Sequence, residues 1–576
     1  MSPSPEFSQR TLADLTLLYG DAAPACRERF VSVCERHRPA TVRPAESLWN
    51  ERDVVLITYG DQIHSNNETP LAAFRSFIED ESLADLFSTI HLLPFFPYSS
   101  DDGFSVIDYR QVDPKLGDWD DVESLNETSS LMFDLVLNHC SSQSQWFQDY
   151  LAGSAPFDRF FIEADPNTDL TAVTRPRSLP LLSPFETNRG TRHLWTTFSD
   201  DQIDLNFSEV DVFIEMIDIL LSYVDRGARI VRLDAIAYLW KTIGTSCIHL
   251  PETHAVVRLM RDALDAVAPG TILLTETNVP HEENVSYFGD GDEAHMVYNF
   301  SLAPLLLDAF LSQDAGPINA WLANLEPAKP GTAYFNFTAS HDGVGVRPLE
   351  GLVEPERFER LVESVRSRGG HVSTKRNADG SDSPYELNIA YFSALGPPID
   401  DPGSVPPELH VRRFLSSQAV MLALRGIPGV YFHSLVGTSN DLVGTQETGR
   451  ARSINRRKFH RDELNDRLRN STAAEKQVFD GYQHLLASRI EQPAFHPDAA
   501  QAFVDAGDPT VVAFLRSSCD GQQQILVLTN VAERTVTLTL SDCVDSTDGH
   551  DLLGGPNTEN GHLILQPFAT AWLELA

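Results

Sequence analysis

Positive charge is scarce in this chain. Its 576 residues carry 44 Lys and Arg against 82 Asp and Glu, a net charge of −38, and only six of the basic residues are Lys. That balance repels nucleic acid and anionic membranes, and suits a soluble cytosolic protein or a salt-adapted cell. The Arg bias reflects genome composition more than mechanism. Long apolar runs are absent as well: none approaches the roughly 18 residues a membrane span needs. The first ten residues, MSPSPEFSQR, lack the basic and apolar regions of a signal peptide, so a cytoplasmic location is expected. The six cysteines (Cys26, Cys34, Cys140, Cys247, Cys519, Cys543) form no CxxC pair, which argues against a zinc ribbon or a disulfide framework. No GxGxxG follows the first candidate strand, and no metal-ligand cluster or nucleotide loop is visible. Neither a cofactor nor a metal is expected.

Eight β-rich runs are present, and most are separated by helical stretches such as 210–224 and 253–267. They are VVLITY (54–59), IHLLPF (90–95), LMFDLVLNH (131–139), ARIVRLDA (228–235), TILLTET (271–277), MVYNFS (296–301), TAYFNFTAS (332–340) and PGVYFH (428–433). This alternation predicts an α/β fold, a closed parallel (β/α)8 TIM barrel with insertions. A doubly wound sheet ranks well below it. The expected organisation is a helical N-terminal extension over 1–52 and barrel segments over 53–139, 208–342 and 397–492. Long irregular insertions fill 140–207 and 343–396, and after 493 short alternating runs predict an all-β C-terminal domain to 576. Two amphipathic patterns and a Pro-containing link make up the extension.

Chemistry gathers at the strand ends, where such a barrel carries its active site. In GARIVRLDA (227–235), Arg232 and Asp234 share one face of a strand whose alternate residues are apolar. A structural Arg–Asp pair is the plain reading of that motif alone. The third strand ends in Asp134, Asn138 and His139, the fifth in Glu276 and Asn278, and the seventh in His341 and Asp342. Asp, Glu and Asp closing strands four, five and seven together argue for catalysis.

The motifs DLVLNH, RIVRLDA, LTET and SHD resemble the four signature motifs of the α-amylase superfamily of glycoside-processing enzymes, and the resemblance runs from about residue 54 to the C-terminus. It implies that Asp234 is the nucleophile, Glu276 the general acid/base and Asp342 the stabiliser of the transition state. His139, Arg232 and His341 would hold the sugar and the nucleophile. Retaining glycosyl transfer uses two carboxyl groups in these roles. Arg232 is expected to keep Asp234 ionised, while Glu276 starts protonated. The stretches HLLPFFPYSSDDGFSVIDYRQVD, AYLWKTIGTSCIHLP, Arg175-Pro176-Arg177 and TGRARSINRR are similar to the sucrose phosphorylase branch. Members of that branch cleave an α-glucoside with inorganic phosphate and release α-glucose 1-phosphate. By position, Asp101, Phe104 and Arg456 would line the glucose subsite, with Phe198 and Tyr238 as apolar walls. Arg175 and Arg177 would attract phosphate.

The acceptor loops depart from sucrose-specific relatives. RSRGGHVSTKR (366–376) is basic with no acid, and Ser383-Pro384-Tyr385-Glu386 stands where those relatives use a different loop. If His371, Lys375 and Arg376 converge with Arg177, they make a site for an anionic leaving group, with Tyr385 and Glu386 beside it. On that basis sucrose 6'-phosphate is the expected substrate. Glucosylglycerate, glucosylglycerol and sucrose are the alternatives; a hydrolase or transglucosidase, and then a catalytically dead barrel, rank lower. The expected partners are a small sugar and phosphate, with a monomer or homodimer as the assembly.

Overall fold

A computed structural model describes residues 5–37, 47–177, 179–377, 381–555 and 558–576. The Pro-containing link after the second helical pattern lies mostly at 38–46, outside the described residues, as do 378–380 of the second insertion. Eight parallel strands close into a barrel in sequence order: β1 (Val55–Thr58), β2 (Thr89–Leu92), β3 (Ser130–Leu135), β4 (Ala228–Leu233), β5 (Ile272–Thr275), β6 (Met296–Tyr298), β7 (Ala333–Phe337) and β8 (Ile427–Tyr431), with β8 pairing back to β1. Every expected strand is therefore a barrel strand. Nearly all their residues are buried, which is why they read as continuous apolar runs rather than alternating ones. Leu233 of β4 lies level with Leu135 of β3 and Thr275 of β5. Asp234 and Glu276 thus leave adjacent strands side by side.

The N-terminal extension forms α1 (Pro5–Tyr19) and α2 (Ala23–His37), which pack outside the barrel on α4 (Pro251–Val267) and α3 (Val210–Asp225) respectively. Leu15, Leu18, Cys26, Phe30 and Val33 form the buried stripe, and Phe30 stacks on Phe213 at 6.0 Å. Ion pairs rim it: Arg10 with the fully buried Asp262, Asp14 with Arg258 at 2.7 Å, and Arg36 with Asp218 at 2.6 Å.

Both insertions leave from strand C-termini. The first holds the helix Gln145–Ala152, whose N-cap Ser144 accepts the Phe147 amide, and the hairpin Leu182–Thr187/Gly190–Trp195. It also holds Gln202–Asp204, antiparallel to His139–Ser141. The second holds the helix Pro355–Ser367 and three strands, Val344–Gly345, His371–Arg376 and Asp382–Asn388. Beyond the barrel, a five-stranded antiparallel sheet and a two-stranded ribbon make the C-terminal all-β region. No helix among the described residues is long and apolar enough to cross a membrane.

Candidate active site

Asp234, Glu276 and Asp342 line one pocket at the C-terminal face of the barrel, together with Asp101, Phe104, His139, Arg177, Phe198, Tyr238, His341, Tyr385 and Glu386. Beneath it lies Arg232, 1% exposed and shared among carboxylates. Its Nη1 bonds Asp134 and, at 2.9 Å, Asp234 Oδ1, while Nη2 stands 3.7 Å from Glu276. Ala235 adopts a left-handed conformation (φ 50°), sparsely populated for a residue with a Cβ. This turn aims its amide at Glu276 Oε2, 3.1 Å away.

The electrostatics differ from the simple expectation for Asp234. Burial raises its carboxyl well above the ordinary range; Arg232 opposes this, but Glu276, Asp134 and Asp342 add to it. The reason is that Arg232 is not reserved for Asp234. Burial would also raise Asp134, yet Arg232 and His91 hold it at about 2, and His91 Nε2 lies 2.7 Å away. Glu276 is raised by burial and by Asp342, as an acid that starts protonated requires. Asp342 goes the other way: burial raises it, but Arg452, Arg456 and Arg232 outweigh that and leave it lowered. Of the three carboxyl groups in the pocket, Asp234 and Glu276 are thus both pushed up and only Asp342 is held down.

On the glucosyl side the walls are heavily bonded. Phe104 stacks on His341 at 4.6 Å, and Phe198 meets Tyr238 edge-on at 5.6 Å. His139 Nε2 lies 2.9 Å from the Phe104 carbonyl, which can only accept, so that nitrogen carries the hydrogen. Its Nδ1 then accepts from Asn138, whose amide oxygen takes a bond from the buried Lys241; Lys241 also pairs with Asp204 at 2.5 Å. Asp101 and Asp102 are both left-handed (φ 53° and 49°), a strained loop stabilised from outside. Asp201 accepts hydroxyls from Ser99 (2.5 Å), Ser100, Ser105 (2.9 Å) and Ser142 (2.5 Å), tying the loop to the first insertion. Arg456 does not line the pocket. It stands behind the wall, bonding Asp102 at 2.5 Å and the His341 carbonyl at 2.8 Å.

On the acceptor side the structure corrects the expected convergence. Strand His371–Arg376 advances about 3.3 Å per residue, so its two ends cannot serve one small site. His371 is exposed at the far end and reaches neither cavity. Lys375 and Arg376 reach an outer cavity rather than the pocket of Arg177, and there they approach Glu350 (3.4 Å) and Asp382 (2.7 Å). Arg175 also lines this outer cavity and donates to the Leu179 carbonyl. Tyr238 and Tyr385 border both cavities, so the two adjoin. Glu386 does line the pocket but is engaged by Arg452 at 2.7 and 3.0 Å, and Arg452 also meets Asp342 at 2.6 Å. Arg452 escaped the sequence reading because TGRARSINRR holds four arginines and nothing in the run says which faces inward. Asn278, noted at the end of the fifth strand, lines the pocket as well, whereas Gln202 and Phe300 carried no motif of their own. Arg347, in the outer cavity, was hidden between two apolar stretches.

Residues 83–336 match the family model described as the alpha amylase catalytic domain. Over 99% of its length the chain is 44% identical to a glucosylglycerate phosphorylase from Allomeiothermus silvanus, covering 99% of that protein. It is 43% identical to one from Escherichia coli, covering 99% of this chain and all of the relative. A solved sucrose 6F-phosphate phosphorylase from Thermoanaerobacter thermosaccharolyticum superposes with a TM-score of 0.71 at 25% identity, over 83% of this chain and 94% of that one. The chain belongs to the sucrose phosphorylase branch of the α-amylase superfamily and is a glycoside phosphorylase.

Proposed function

We propose that the protein moves a glucosyl unit from glucosylglycerate to inorganic phosphate, giving α-glucose 1-phosphate and glycerate. One observation supports an acidic acceptor above all. The outer cavity is lined by Arg175, Arg347, Lys375 and Arg376 with no acid among its lining residues, in a chain of net charge −38. Electrostatic focusing toward a cationic mouth favours anions on both sides of the exchange, glycerate and phosphate. Full-length similarity to glucosylglycerate phosphorylases supports the same acid. The convergence with Arg177 that favoured sucrose 6'-phosphate does not form, since Lys375 and Arg376 line the outer cavity and His371 lines neither.

In this reading the Asp234 carboxylate attacks the anomeric carbon while Glu276 protonates the leaving glycerate oxygen. A β-glucosyl ester forms on Asp234, and a phosphate oxygen then attacks the same carbon, releasing Asp234 with retained configuration. Asp342, held ionised by Arg452 and Arg456, binds the sugar hydroxyls as ring charge develops. The test is phosphate-dependent release of glucose 1-phosphate from glucosylglycerate, glucosylglycerol, sucrose and sucrose 6'-phosphate in parallel. Glucosylglycerate should be preferred at least tenfold in kcat/KM. Preference for sucrose 6'-phosphate would overturn the assignment of the acceptor. Free glucose formed equally fast without phosphate would overturn phosphorolysis itself.

A further inference from the structure

We infer that Arg347 is the residue that selects an acidic acceptor, by receiving its carboxylate at the junction of the two cavities. The inference rests on the reading of an acidic acceptor given above.

Arg347 opens the short 3-10 turn Arg347–Leu349 directly after strand Val344–Gly345. The position is rigid: Pro348 and Leu349 are buried, and the neighbouring Val346 amide donates to the Tyr385 carbonyl at 3.1 Å. Tyr385 borders both cavities, so this bond fixes Arg347 beside the passage between them. The side chain is only 14% exposed, and its Nε is sealed from solvent without a hydrogen-bond partner. Its one ion pair among the described residues is a loose 3.8 Å approach to Glu350, itself half-exposed and also approached by Lys375 at 3.4 Å. Arg347 lines the outer cavity with only that loose partner, and a carboxylate presented edge-on meets a guanidinium with two parallel bonds.

The other cations of the mouth are engaged differently. Arg376 holds Asp382 at 2.7 Å, and Arg452, inside the pocket, is committed to Asp342 and Glu386. Nearby, Gly345 packs so tightly on Asn278 that an added Cβ would lie 2.6 Å from its amide oxygen. That oxygen also lacks a partner, and Asn278 lines the catalytic pocket. Asn278, at the end of β5, thus touches Gly345, two residues before Arg347, so a cation and an unpartnered acceptor flank one strand end and suit a small acid that also bears a hydroxyl.

The phosphate co-substrate is an anion too, so the experiment must separate the two. α-Glucosyl fluoride loads the enzyme without an acceptor, after which glycerate and phosphate are compared as recipients. In Arg347→Gln the ratio of kcat/KM for glycerate to that for phosphate should fall ten- to a hundredfold. Arg347→Lys should recover part of that ratio, which a packing defect would not allow. A ratio within threefold of wild type in the Gln variant, or an equal loss for glycerate and glycerol, would overturn the role of Arg347. Wild-type enzyme that transfers to phosphate but releases nothing from glucosylglycerate would instead overturn the parent reading.

Discussion

The two halves of the active site are built on opposite principles. On the glucosyl side the buried ionic groups are cross-linked: Arg232 with Asp134 and Asp234, Asp201 with four serines, Lys241 with Asp204 and Asn138. On the acceptor side Arg175 comes from the first insertion, while Arg347, Lys375 and Arg376 sit on a turn and a hairpin of the second, where their partners are loose or exposed. One half is preorganised by barrel strands, which suits a sugar that never changes. The other rests on the insertions, where acceptor identity is free to vary within the branch.

The comparison is broken most severely from beneath the glucosyl side. Asp134→Asn should destabilise the fold by roughly 3–5 kcal/mol, since it leaves Arg232 buried with too little negative charge. Asp134 sits at about 2 against its ordinary 3.8. Its stabilising contribution is therefore complete above about pH 4 and lost as pH falls toward about 2. Denaturant melts across that window should show the acid-limb slope flattened in the variant; an unchanged slope would detach Asp134 from the stability of this core.

Asp201→Asn sharpens the contrast at intermediate size. It weakens charge-assisted bonds worth roughly 1.5–3 kcal/mol each, so KM should rise about tenfold or more. The rise should be equal for charged and neutral acceptors, because the loop it holds carries Asp101 and Phe104. A change confined to charged acceptors would mean that the two halves are not separable. The smallest effect belongs to His371→Ala, expected to leave kcat/KM for every substrate within about twofold, since a surface substitution away from such features is usually worth under ~0.5 kcal/mol. A tenfold loss on glucosylglycerate would return His371 to the site.

The same contrast explains what could be read from the chain alone. All eight barrel strands were legible because each is a short apolar run, and four of them end in groups too costly to bury idly. Asp234, Glu276 and Asp342 were legible for the same reason. The acceptor side was not: distance along a hairpin, rather than charge in the sequence, decides that Lys375 and Arg376 reach a cavity while His371 does not. Nor could the seat of the N-terminal helices be read, since Arg10 finds Asp262 across 252 residues of sequence. The raised state of Asp234 was missed because Arg232 is shared with Asp134, a partner that only the alignment of β3 with β4 brings into place.

The border that Tyr238 and Tyr385 form between the two cavities has a kinetic consequence. If the outer cavity is the route to the glucosyl-enzyme, the departing acid and the arriving phosphate use a single doorway in turn. Each would then exclude the other while it occupies the passage. Initial-rate plots at several phosphate concentrations should be parallel lines, and excess acid should compete with phosphate rather than with the glucoside. A passage shared in this way would make each anion an inhibitor of the other's entry.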